Sequence, residues 1–438
     1  MVNVARIFST LGNPDSLIPL AIKDTASTAG MTAGSYITGK EEGHDRFIDE
    51  VGTEIIWLGG LPFFKWLYDK TLFKSFNLDS KFDARNLKDN DIFSKIKEFA
   101  PTEEIKNNLD NISKNQNLFK KIAKGKFFVS TSLAVGSYIG LTKFKQYYTD
   151  KKIRNNLIQE YQQNLNTQNN NKQNSTNITF KSLASKLESY AFSPVKNMWV
   201  LDGCITTERL ADSRSKQEFI GYTIKEGSLL FFMYYAGKEI QKIFENFVEK
   251  KHNLSIDLNS KVLENNYLSN SFKDKSITKS LQEFKNANKS NVDLYEFLHK
   301  NPDNIIVKTL KDSDIIKMYE KPQGFLKKSI VTDKIDTRKY IDLNTTNEIY
   351  NKIEKLYKQY EQALNNGMTH NDFFKKIVKL KRIAVINNIG SSILALGVLT
   401  PAIMLLQRIS SKDNQEFETK KRIRNELIKE GIIKDLET

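Results

Sequence analysis

The chain has 438 residues, with 67 Lys and Arg against 52 Asp and Glu, for a net charge of +15. That length buries a core without covalent help, and the single cysteine, Cys204, excludes both an internal disulfide and a thiolate metal cluster. The basic balance admits two classes of anionic partner, nucleic acid and phospholipid.

Residues 1–33 lack the basic-then-apolar layout of a cleavable signal peptide. Gly34 to Lys40 (GSYITGK) has the glycine and lysine spacing of a phosphate-binding loop. Glu41, however, stands where a magnesium-binding hydroxyl belongs, and no apolar strand precedes the tract, so it reads as a loop before a helix. An acidic approach (Glu41, Glu42, Asp45, Asp49, Glu50, Glu54) leads into the apolar segment IIWLGGLPFF at 55–64. The next apolar segment, FFVSTSLAVGSYIGLT at 127–142, lies between Lys126 and Lys143. In it Ser132, Gly136 and Gly140 fall at i, i+4 and i+8, a ridge of small residues expected to pack against another helix. Ser391 and Ala395 form a shorter ridge of the same kind further on.

An Asn/Gln-rich tract at 162–178 is too polar to offset its ordering entropy and reads as a linker. Beyond it, GSLLFFMYYAG at 227–237 is a third apolar segment. An insertion follows at about 250–345, in which 303–318 (DNIIVKTLKDSDIIKM) is the one stretch with hairpin-like alternation. Ile349, Ile353, Leu356, Tyr360 and Leu364 then mark an amphipathic helix. The last segment, 383–407, is 25 uncharged residues flanked by cations, and as a helix it spans about 37 Å, enough to cross a bilayer. Pro401 frees the carbonyl four residues before it, and Thr400 is placed to re-satisfy the backbone. Asn387 and Asn388 inside this segment must face protein or water, as inter-helical hydrogen bonds or as the lining of a polar pathway.

The two sides of the linker resemble each other. FKKIAKGK at 119–126 matches FKKIVKLK at 374–381 at six of eight positions, and KKIRNNLIQE at 151–160 matches KRIRNELIKE at 421–430 at seven of ten. Asp24 and Thr28 recur as Asp202 and Thr206. Capping is the plain reading of those four residues, and a paired polar site on the repeat axis is the functional one.

The chain is therefore expected to be mainly α, with two tandem pseudo-symmetric halves at 1–161 and 179–438, each carrying two hydrophobic segments. A helical membrane protein is expected, scaffolding or transporter-like, in the cytoplasmic membrane if the source is prokaryotic. The expected partners are the lipid bilayer and a protein docking on residues 245–380. The alternative is a soluble basic helical protein that binds nucleic acid or another acidic partner. Nucleic acid is the weaker of the two, because acids interleave with the bases and no basic–aromatic module occurs. His44, His252, His299 and His370 are scattered, and no catalytic motif is present, so neither a metal, a cofactor nor an enzymatic activity is expected.

Overall fold

The computed structural model describes residues 4–13, 16–164, 169–170, 193–213, 216–321, 329–411 and 415–433. The described chain is mainly helical. Most of the linker falls outside these residues. Of it, 162–164 end a long helix, and Asn169–Asn170 (β1) pair antiparallel with Glu430–Gly431. The chain divides into two compact units, each drawing on both sides of the linker. The first comprises residues 1–19, 66–126 and 238–388, and the second 20–65, 127–237 and 389–438.

In chain order the helices are α1 (Val4–Leu11), α2 (Leu17–Thr38), α3 (Lys40–Ile55), α4 (Leu61–Tyr68), α5 (Asn90–Glu98), α6 (Glu103–Lys114) and α7 (Gln116–Asn164). There follow α8 (Pro194–Ala211), α9 (Lys216–Phe231), α10 (Gly237–His252), α11 (Ser260–Leu263), α12 (Asn266–Lys273), α13 (Ser276–Ala287) and α14 (Asn291–Lys300). The last are α15 (Ile305–Asp312), α16 (Leu343–Asn365), α17 (His370–Leu394), α18 (Thr400–Ser411) and α19 (Gln415–Lys429). Single π turns at Ile56–Gly60, Phe232–Ala236 and Ala395–Leu399 join α3 to α4, α9 to α10 and α17 to α18.

The first unit has a conventional apolar core. The spacing read from the sequence holds in α16, where Ile349, Ile353, Leu356 and Tyr360 are buried and Leu364 is exposed. Phe272 packs edge-on to Tyr357 and to Phe374, with ring centroids 5.1 and 5.6 Å away. The hairpin expected at 303–318 is corrected. Asn304 caps α15 by accepting from the Ile306 amide, and Ile306, Val307 and Leu310 form its buried face. The hairpin lies just beyond, β2 (Met318–Lys321) against β3 (Ile330–Ile335). The alternation at 303–318 came from helical spacing, which also brings apolar residues at short intervals. Two ion pairs recur in this unit: Lys126 with Asp69 and Lys381 with Glu245, both at 2.7 Å. Asn388 donates to Gln241 at 2.8 Å and so ties α17 to α10, while Asn387 is half-buried.

His299 stacks on Phe99 at 4.7 Å, and its Nδ1–H donates to the Tyr295 carbonyl. Burial pushes its pKa down to about 4 from the ordinary 6.5.

In the second unit, α2 meets the π turn after α17 at backbone contact. A Cβ built on Gly30 would lie 2.1 Å from the Gly397 carbonyl oxygen, and one on Gly34 would touch Pro401. The carbonyl expected to be freed by Pro401, that of Gly397, lies against Gly30. Thr400 re-satisfies a different group, donating from its Oγ1 to the Ala395 carbonyl at 2.9 Å. The ridge Ser132, Gly136 and Gly140 meets no other helix among the described residues. All three residues are exposed on α7, and a Cβ on either glycine meets nothing within 4 Å. Ser391 is half-buried and Ala395 buried. Near the ends of α7 and α19, Ile153, Leu157 and Tyr161 pack with Ile423, Leu427 and Ile433, and Asp150 accepts from Arg422 at 2.6 Å.

Two predictions follow from this packing. Gly30→Leu forces the two backbones apart and lowers the melting temperature by the equivalent of at least the ~1–3 kcal/mol usual for overpacking, whereas Gly136→Leu leaves it unchanged. Gly125→Leu also destabilises, because its Cβ would lie 2.4 Å from the Tyr68 hydroxyl. The second concerns acid. A neutral buried imidazole stabilises the fold above the unfolded pKa of about 6.5, and that stability is lost as pH falls through that value towards 4. In denaturant titrations at stepped pH, His299→Phe should therefore flatten the loss between pH 6.5 and pH 4 relative to wild type.

Candidate functional site

Helix α3 reverses the usual amphipathic arrangement. Glu42, Asp45, Arg46, Asp49 and Glu50 recur every three or four residues, and all are buried, Asp49 completely. Phe47 and Ile55 point outward, Ile55 being 65% exposed. The facing helices repeat the pattern. Tyr138, Thr142, Lys145 and Thr149 form the buried stripe of α7, and Glu218, Tyr222, Lys225 and Glu226 that of α9. Helix α8, started by a Ser193 cap and Pro194 in its first turn, contributes Asn197, Asp202 and Arg209.

These stripes interlock in the second unit. Arg209 pairs with Glu226 and with Asp49, the latter at 3.2 Å. It also donates to the Tyr138 hydroxyl at 2.5 Å and to the Thr53 hydroxyl at 2.9 Å. Lys225 bridges Glu50 at 2.8 Å and Glu226 at 2.9 Å. Lys145 lies 3.7 Å from Asp45 and 3.8 Å from Asp49, and donates to the Tyr222 hydroxyl at 3.2 Å. Arg46 sits 3.5 Å from Glu50 and 3.8 Å from Asp49, and its guanidinium lies over the Tyr222 ring. The network thus joins four cations (Arg46, Lys145, Arg209, Lys225) to four carboxylates (Asp45, Asp49, Glu50, Glu226), and its formal charge cancels.

Beside it is a cavity of about 20 Å³ lined by Asp24, Thr28, Glu50, Thr53, Trp57, Asp202, Ile205, Arg209, Lys225, Glu226 and Leu229. Three of the four polar positions paired by sequence, Asp24, Thr28 and Asp202, meet at this cavity. The fourth, Thr206, sits behind it and donates to Glu226 at 3.4 Å. Asp202 accepts from the Tyr234 hydroxyl. Neither Asp24 nor Asp202 has an ion-pair partner among the described residues.

The other candidates lie elsewhere. Asn388 is engaged with Gln241 in the first unit. Gly34 to Thr38 are the end of α2 and Gly39 is the turn into α3, so the phosphate-loop spacing belongs to a helix terminus. The histidines take separate partners: His44 approaches Tyr36, and His370 contacts Ser269 and Tyr360. Among the described residues no group of three or more His, Cys, Asp or Glu is arranged to hold a metal. The sequence reading did not single out Arg46, Lys145, Arg209 or Lys225. The available signal was the helical spacing of charge over 42–53, with phenylalanine and isoleucine on the opposite face.

Compared with known protein families, curated proteins and solved structures, the chain matches none.

Removing one partner from a buried ion pair leaves a charge stranded, which typically costs ~3–5 kcal/mol. Arg209→Met should cost that much in unfolding experiments. Arg209→Met with Glu226→Met should be less damaging than the sum of the two single changes, and Thr207→Ala, on the exposed side of the same helix, should be close to neutral.

Proposed function

We propose that the chain is an internally duplicated integral membrane protein whose second unit lies in the bilayer and handles ions or small charged solutes, as a transporter does. One observation carries this reading: the helices of that unit turn their charged faces inward and their large apolar residues outward. Phe128, Leu133, Ile139 and Phe144 are exposed on α7, Phe219 and Phe231 on α9, and Leu394, Val398, Ile403 and Leu406 on α17, α18 and the turn between them. Water would penalise such a surface, whereas hydrocarbon matches it. Among the described residues one helix, His370–Gln407, is long and apolar enough on composition to cross a membrane. Average hydropathy understates the others, since the charges that lower it, such as Lys225 and Glu226, are the ones shielded inside.

The duplication is supported by matched positions. Asp69 and Glu245 each stand thirteen residues beyond the first residue of a π turn, and each pairs with the lysine that closes an FKKI segment. Ile153 and Leu157 share an apolar cluster with Ile423 and Leu427, their counterparts in the repeat. Asp24 and Asp202 line one cavity. Ionisable groups inside a membrane are costly and mark ion, proton or substrate pathways, which favours transport over a purely scaffolding role.

Lysis without detergent followed by an alkaline carbonate wash tests the membrane placement. The chain should stay in the pellet and come out only with detergent. Its appearance in the carbonate supernatant would sink the reading.

A further inference from the structure

We infer that the cavity between Asp24 and Asp202 binds one monovalent metal cation, an inference that deepens the reading of the second unit as an ion-handling one. The starting point is charge. The interlocked network of four cations and four carboxylates is neutral by itself, so Arg209 and Lys225 are already committed to Asp49, Glu50 and Glu226. Asp24 and Asp202 are in excess, and they face one enclosed space. Two buried carboxylates so placed repel each other and have surrendered much of their hydration, and the cations that act on them, Lys225 and Arg209, are shared with Asp49, Glu50 and Glu226. A cation seated between them turns that repulsion into attraction.

A second observation is independent of the acids. Thr28 is only 7% exposed and lines the same cavity, and among the described residues its hydroxyl has no hydrogen-bond partner. The hydroxyl of this buried residue is open to the cavity, so whatever occupies that space is its partner, and serving as an oxygen ligand to a cation is one way of satisfying it. Asp202 accepts from the Tyr234 hydroxyl and from the Trp57 indole, and its two carboxylate oxygens keep lone pairs beyond these for a cation.

Size and donors narrow the ligand. About 20 Å³ is room for one water-sized particle, which excludes an organic solute and any ion that keeps its hydration shell. Magnesium holds several waters, and calcium takes about six to eight oxygens. Two carboxylates and one hydroxyl in so small a space suit neither. An alkali cation that sheds most of its water is the ligand that fits, and Na⁺ is the probe.

The test uses the full-length purified protein and its melting temperature. Samples contain NaCl or choline chloride at constant ionic strength and fixed pH. Na⁺ should raise the melting temperature saturably and choline should not. Asp24→Asn, Asp202→Asn and Thr28→Val should each raise the half-saturating Na⁺ concentration by about tenfold or more, equivalent to ~1.4 kcal/mol. Asp212→Asn, a surface change outside the cavity, should leave the response intact. If an aspartate variant fails to fold, Thr28→Val, which removes one oxygen and no charge, carries the test. Equal melting in Na⁺ and choline would overturn the inference, as would a Na⁺ response unchanged in the variants that fold. A response to pH with none to Na⁺ would also overturn it and assign the acid pair to protons. The outcome separates from that of the carbonate wash. A chain released by carbonate yet stabilised by Na⁺ keeps the site and loses the membrane, and a retained chain indifferent to Na⁺ does the reverse.

Discussion

The second unit depends on the guanidinium of Arg209. Its planar fork reaches Glu226 on α9, Asp49 and Thr53 on α3, and Tyr138 on α7, from a base on α8. Four helices therefore meet through one side chain that cannot lose its charge. Each ion taken out of water costs several kcal/mol after relaxation, and that cost is offset only where every charge finds partners of good geometry. Because the ionic faces are committed to the interior, the opposite faces of the same helices are left with Phe47, Ile55, Phe219 and Phe231. The apolar exterior is thus the geometric complement of the charged interior, and both follow from one 3.6-residue period.

The π turns serve this arrangement. A π turn shifts the hydrogen-bond register by one residue and frees a carbonyl for side chains. The Phe232 carbonyl, at the start of one such turn, accepts from Lys23 at 3.5 Å and from Ser392 at 3.3 Å. In the turn after α17 the Ala395 carbonyl is taken by Thr400, and the Gly397 backbone lies against Gly30. Irregular helix geometry occurs where polar backbone can be satisfied by protein, which is the condition for such geometry away from water.

The first unit follows the ordinary rules instead. Its helices carry side-chain caps such as Asp89, Thr102, Ser290 and Asn304 and bury aromatic and aliphatic faces, and buried charges such as Lys381 are held in local pairs. The contrast between the units lies in what fills the interior: the second buries an interlocked ionic network, and the first buries mainly aromatic and aliphatic side chains.

The mainly helical fold was legible in the sequence, because helix formation is a local property. The period through Ile349, Ile353, Leu356 and Tyr360 specified a helix and its buried side. Spacing alone misled at 303–318, where a helix and a strand both bring apolar residues close together. Other features were decided only in three dimensions. Glu42, Asp45, Asp49 and Glu50 were legible only as an acidic approach to an apolar segment, and it is the cations of α7, α8 and α9 that turn them inward. Ser132, Gly136 and Gly140 had the spacing of a contact ridge and face open space, while Gly30 and Gly397, nearly the whole chain apart, make the close approach. A small residue permits contact but cannot choose its partner. Asp24 and Asp202 drew notice in the sequence because each stands four residues before a threonine, Thr28 and Thr206. Their meeting at one cavity required helices from both halves to be packed together, a long-range constraint carried by no local stretch of sequence.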